Sequence, residues 1–128
     1  IPKASFFKEV DYCGITTGRK RKKFDDTSFT PMEGSKIKPP IIKECPYNIE
    51  CKVTHDIMIW DWALILGEIV ETHIDKDKAD ESKRAGIDIS KINPLVYCAR
   101  VREYWTIGNM LGIALDAGKE IKEKLKET

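Results

Sequence analysis

The sequence predicts an α+β domain, mainly antiparallel β: a closed or nearly closed barrel with helices at both ends and a charged loop near residues 75 to 90. Three observations predict it. Apolar residues fall on helical faces at the two ends of the chain. In the middle they alternate with polar ones at the strand period of two. Proline and glycine mark the boundaries between these segments. The 128 residues form one domain with one core.

The opening "ASFFKEVDYCG" reads as a short helix, with Phe6, Phe7 and Val10 on one face and Gly14 as its stop. "ITTGRKRKKFDD" follows, with five consecutive basic residues from Arg19 to Lys23, and Thr16 or Thr17 is placed to cap a short basic helix. "TPMEGSKIKPP" is turn-rich. "PPIIKE" then predicts a strand ending near Cys45, and "NIECKVTH" a half-buried antiparallel one. Ile49, Cys51 and Val53 face the core, and Glu50, Lys52 and Thr54 face water. His55 falls in a turn. "DIMIW" and "WALILGEIVETHI" predict a strand, a tight connection at Asp61 and a long strand, with Trp60 in the core and Gly67 at a bulge or bend. "DKDKADESKRAGIDISKI" is a polar excursion, and "NPLVYCARV" returns to strand character. "GNMLGIALDAGKEIKEKLKET" predicts a closing amphipathic helix with a stripe of Leu111, Ala114, Leu115, Gly118, Ile121 and Leu125.

Charge excludes little by itself. Lysine and arginine total 22, aspartate and glutamate 21, so the net charge of +1 gives no global attraction to nucleic acid or anionic membrane. The apolar run around "WALILG" is too short and too soon interrupted by Glu68 to span a bilayer. No signal-peptide pattern is visible, and a cytoplasmic location is expected. The four cysteines, Cys13, Cys45, Cys51 and Cys98, lack the close pairs of structural zinc sites. Cys45 and Cys51 read as reduced, buried sheet residues. Cys13 admits two readings. Beside a helix N-terminus and a basic run it would be a reactive thiol; beside a tight turn it is a small buried residue.

Five blocks in register carry a family likeness: "DYCGITTGRKRKKF" (11–24), "TPMEGSKIKPPIIKECPYNIECKV" (30–53), "LILGEIVETHID" (64–75), "INPLVY" (92–97) and "YWTIGNMLG" (104–112). In order and spacing the chain resembles the C-terminal two-thirds of the flavin reductase-like, or flavoredoxin, family, which binds FMN on a split barrel. The resemblance implies that about the first third of the family's domain lies upstream of Ile1. Much of the FMN phosphate and ribityl site comes from that part.

What the resemblance implies for the site rests on matched positions. Lys23 takes the place of the lysine in the family's Lys-Phe pair, where a cation meets the flavin phosphate or the pyrimidine edge of the reduced ring. Arg19 inherits the same role through its Gly-Arg match, and a helix N-terminus near Thr17 and Gly18 would favour an anion. The competing reading of this run is a solvated basic face. Tyr104 and Trp105 stand where the family places aromatics before its Leu-Gly close, and are set to wall the flavin ring or to pack the core. Trp62 departs from the family, which often has a histidine there. A titrating imidazole is lost at that point, while an aromatic wall is retained. His73 matches the family's His-Val-Asp and could pair with Glu71 or Asp75.

Three functions compete. The first is an FMN-binding redox protein (FAD is the alternative flavin), homodimeric, taking electrons from NAD(P)H or a redox partner protein. The second is a non-catalytic homologue that keeps the barrel and acts as a dimeric binding module. The third, nucleic-acid binding through "RKRKK", is opposed by the neutral net charge and by Asp25 and Asp26 directly after it. Neither nucleic acid nor membrane is expected as a partner, and no metal site is expected.

Overall fold

A computed structural model describes residues 1–124 of the chain. The helix at the start forms as its periodicity requires. A 3-10 turn, Ala4–Phe6, runs into α1, Phe7–Ile15, one residue beyond the predicted stop. The basic run does not make a capped helix. Thr17 to Lys20 form a turn, in which the Thr17 hydroxyl accepts from the Arg19 amide at 3.3 Å. Only Lys23 enters the single helical turn α2, Lys23–Asp26, which has no side-chain cap. Five adjacent cations repel one another along a helix face, and an open turn separates them.

The strands pair as three two-stranded antiparallel sheets, and no closed barrel forms among the described residues. Two-residue strands β1, Pro31–Met32, and β2, Ile41–Ile42, bracket the turn-rich loop. β3, Tyr47–Ile59, and β4, Trp62–Ile74, make a long hairpin across the turn at Trp60 and Asp61. "NIECKVTH" and "DIMIW" are therefore one continuous strand, and His55 lies inside it rather than in a turn. β5, Leu95–Cys98, pairs with β6, Glu103–Thr106. The polar excursion carries a 3-10 turn at Lys76–Lys78 and α3, Ile89–Ile92, which Asp88 caps through the Ser90 amide at 3.0 Å. The N-terminal segment lies antiparallel to the start of β5: Ala4 donates to the Asn93 carbonyl at 2.8 Å and Leu95 to that of Pro2 at 3.1 Å.

The bulge expected near Gly67 is present. Val53 pairs with Gly67 and His55 with Leu66, leaving Thr54 as the extra residue; a second shift lies between Glu50 and Cys51. A methyl group on Gly67 would stand 3.1 Å from the Cys51 Cβ, a tight contact that β3 would have to yield by a few tenths of an ångström to accommodate.

Burial departs from the predicted faces of β3 at Glu50, Cys51 and Val53, while Lys52 and Thr54 are exposed as expected and Ile49 is half-buried. Glu50 is 1% exposed, while Cys51 and Val53 are exposed. The buried positions among the described residues are Phe29, Cys45, Pro46 and Ile92 besides Glu50, and Phe29 meets the Phe6 ring edge-on at 5.1 Å. Cys45 is thus buried as expected and Cys51 is not; all four cysteines are free thiols. Trp60, expected in the core, is 91% exposed at the hairpin tip with a left-handed φ of 53°. The closing helix is shorter than its stripe. Residues 107–113 have no regular structure, Leu111 is fully exposed, and helix α4 covers only Lys119–Lys124. Gly108, Gly112 and Gly118 weaken that stretch, at about 1 kcal/mol each in a helix interior. Leu125 lies outside the described residues.

Candidate functional site

Helix α1 presents different faces to two hollows. Val10 and Cys13 line an apolar cavity of about 300 Å³ together with Lys23, Phe24, Phe29 and Cys45. Phe7, Asp11, Tyr12 and Ile15 line a more open recess with Arg102 and Tyr104. Tyr104 is shared with a third hollow, where Trp105, Leu95 and Phe7 form the wall. Strand β6 places the two aromatics on opposite faces, because consecutive strand residues alternate. Tyr104 stacks at 5.1 Å against Tyr97 across the β5–β6 pair, and its hydroxyl donates to Asp11 on α1 at 3.2 Å. Burial, then the bond to Asp11, pushes the Tyr104 phenol above its ordinary pKa. The Trp105 indole N–H donates to Glu103 at 3.0 Å, leaving its exposed ring face open.

The basic turn is tied down at one point. The Arg21 guanidinium forks onto the Asp26 carboxylate, its Nε donating at 2.9 Å, and the Tyr12 hydroxyl donates to the same carboxylate at 2.7 Å. The bond from Arg21, then that from Tyr12, holds the Asp26 carboxyl below its ordinary range. Arg19, Lys20 and Lys22 make no side-chain hydrogen bond or ion pair among the described residues and remain available to an anion. Lys23 is engaged: its Nζ donates to the Cys13 carbonyl at 2.5 Å, satisfying a carbonyl in the last turn of α1.

The structure therefore carries Tyr104 and Trp105 on opposite faces of β6 and gathers Thr17, Gly18, Arg19 and Lys23 around the end of α1. Trp62 stands apart at the hairpin tip, largely exposed, and lines none of these hollows. The expected helix N-terminus near Thr17 and Gly18 is absent, since α1 ends there and α2 is a single turn. Cys13 lies in the last turn of α1, at the wrong end for the reading as an N-terminal, activated thiol.

The sequence reading missed Glu50. Its Oε1 accepts from the Ser35 amide at 2.7 Å, and its Oε2 from the Lys36 and Ile37 amides at 2.8 and 2.9 Å. His73 contacts Oε1 at 2.5 Å, so its carboxylate partner is Glu50 and not Glu71 or Asp75. Burial pushes the Glu50 carboxyl up, but the imidazole and the three amides outweigh it and leave it well below the usual carboxylate range. Strand alternation places Glu50 on the polar face and carries no sign that a loop fifteen residues earlier folds over it. Arg102 and Asp11 were missed for the same reason: each reaches the recess through pairing distant in sequence.

The flavin reductase like domain model matches residues 1–106. The chain belongs to that family. Within it, this flavin reductase-like chain superposes on the flavoredoxin of Desulfovibrio vulgaris (Miyazaki F) with a TM-score of 0.83 and 30% identity, covering 92% of this chain and 62% of the other. The flavoredoxin of Methanosarcina acetivorans gives 0.82 and 32%, covering 94% and 62%. An uncharacterised protein of Archaeoglobus fulgidus is 38% identical over 79 residues, which are 61% of this chain and 45% of that protein. The flavin reductase-like chain thus spans less than half of this curated relative and about three-fifths of the flavoredoxins.

Proposed function

We propose that this chain is part of a flavin-dependent redox protein that binds FMN, with NAD(P)H or a partner protein as electron donor. The observation that carries the reading is the structural agreement with two flavoredoxins at 30% and 32% identity over more than nine-tenths of the chain. Bound FMN supplies the redox chemistry, and the protein supplies position and electrostatics. The donor set fits such a group: unpaired cations in the turn after α1 suit a phosphate, and flat aromatic side chains on β6 suit a ring. Arg19, with the Thr17 and Gly18 backbone, holds the phosphate, and Lys23 joins when it leaves the Cys13 carbonyl. Trp105, with its open ring face, walls the ring, and Tyr104 supports the strand from the other face of β6.

Trp62 enters through a second copy. The outer half of the β3–β4 hairpin exposes Ile57, Met58, Ile65, Leu66 and Ile69 on both of its faces. Such a two-sided apolar ribbon is costly to leave in water, and a homodimer covers it and brings Trp62 to the partner's site. The protein acts in the cytoplasm. The alternative, a dimeric binding module without redox activity, draws on the same exposed hairpin and needs no flavin.

The deciding experiment is a visible absorption spectrum after FMN is added and the excess removed, followed by NADH and NADPH oxidation assays. Retained flavin bands with donor-dependent bleaching support the redox reading. A dimer that stays colourless favours the binding module.

A further inference from the structure

The segment from Arg19 to Ser28 does not hold its own shape. It begins in the turn at Thr17 to Lys20, passes through the single uncapped turn α2, and carries five adjacent cations that repel one another. Three bonds fix it to one face of α1, where Glu9, Tyr12 and Cys13 stand three and four residues apart. The Ser28 hydroxyl donates to Glu9 at 3.1 Å, the Tyr12 hydroxyl to Asp26 at 2.7 Å, and Lys23 Nζ to the Cys13 carbonyl at 2.5 Å. Asp26 does more than the other two ties. Its carboxylate also takes the Arg21 fork, so one group joins α1 to both ends of the stretch that contains Lys23. Asp25, the neighbouring acid, is exposed and makes no side-chain hydrogen bond among the described residues.

We propose that Asp26 and Tyr12 are positioning residues for the flavin phosphate: they hold the turn that carries Arg19 and Lys23 against α1 and touch no ligand themselves. The inference rests on the flavin-binding reading of that turn. Cations ordered before the ligand arrives spare binding the entropic cost of ordering them. The sign of the effect separates this role from plain electrostatics. Asp26 is an anion on the segment that meets the phosphate, so by charge alone its removal tightens binding. As a positioning group, its removal weakens binding.

The test is titration of the intact protein with FMN and with riboflavin, which lacks the phosphate, followed by flavin fluorescence. Wild type is compared with Asp26→Asn, Tyr12→Phe and Asp25→Asn. Asp26→Asn is expected to weaken FMN binding at least about fivefold and Tyr12→Phe about twofold, with riboflavin affinity unchanged in both. Asp25→Asn removes the same charge without a tie to α1 and should leave FMN as tightly bound or tighter. FMN bound equally or more tightly by Asp26→Asn, or an equal loss in Asp25→Asn, overturns the proposal. A parallel loss of both flavins in Asp26→Asn and Tyr12→Phe makes the ties merely structural and overturns it as well. Should Asp26→Asn fail to fold, Tyr12→Phe, which removes a hydroxyl alone, decides by the same criterion. Wild-type protein that binds both flavins equally overturns the proposal and leaves flavin binding intact. Wild type that retains neither overturns the flavin-binding reading itself, and this inference with it, before any variant is made.

Discussion

Replacing Glu50 with glutamine tests how the loop between β1 and β2 is held. The substitution keeps the volume and removes the charge. The carboxylate offers two acceptor oxygens, one to Ser35 and His73, the other to Lys36 and Ile37. A glutamine has one acceptor oxygen, and its NH2 group must face one of these donor sets. The space cannot relax toward Gly34, where even an added methyl would lie 2.9 Å from Glu50 Oε2. Hydrogen bonds to a charged acceptor are worth roughly tenfold or more each in a local equilibrium. Ser35 and Lys36 are exposed, so water takes over part of the lost bonding and the low end applies. In Glu50→Gln, amide hydrogen exchange at Lys36 and Ile37 should accelerate roughly tenfold each, while α1 is unaffected. The pH dependence has a definite sign. The folded-state pKa lies below the ordinary value of 4.5, so the stabilisation is complete above about pH 4.5 and fades as pH falls further. The difference in unfolding midpoint between wild type and Glu50→Gln should therefore be constant from neutral pH to about 5 and shrink below 4.5. Unchanged exchange at Lys36 and Ile37, or a midpoint difference that grows in acid, would refute the reasoning.

Phe29→Ala removes a buried ring that meets Phe6 edge-on and should cost about 3–5 kcal/mol, read as a lower urea midpoint at constant slope. Asp26→Asn frees Arg21 and Tyr12; the turn should become more sensitive to proteolysis at Arg19 to Lys22, with little change in global stability. If retained FMN depends on the turn, Arg19→Ala should weaken its binding several-fold and reduce the salt sensitivity of that binding; equal retention would remove Arg19 from the site. Leu66→Glu on the exposed face of the hairpin should leave the fold intact and shift sedimentation toward monomer; an unchanged sedimentation coefficient would count against the hairpin as the dimer surface.

What the sequence determined by itself was local. The apolar spacing of Phe6, Phe7 and Val10 is enough to specify α1, because neighbours three and four apart define a face without outside help. The Trp60–Asp61 connection, the flanking runs and Gly67 specify a hairpin with a bulge for the same reason. The register of five blocks also carried the family. Tertiary structure decided which residue of β3 is buried. Alternation alone allows two answers, and hydrophobicity favoured Cys51; the amides of Ser35, Lys36 and Ile37 and the ring of His73 chose Glu50 instead, because together they replace the water a carboxylate would lose. The closing helix shows the converse. Its stripe of apolar residues was legible, but a stripe stabilises a helix only when something packs on it, and Leu111 and Leu115 meet solvent. The recess at Tyr104 likewise depends on contacts between residues more than ninety apart, such as Tyr104 with Asp11. No local pattern encodes such a pairing; the path of the chain does.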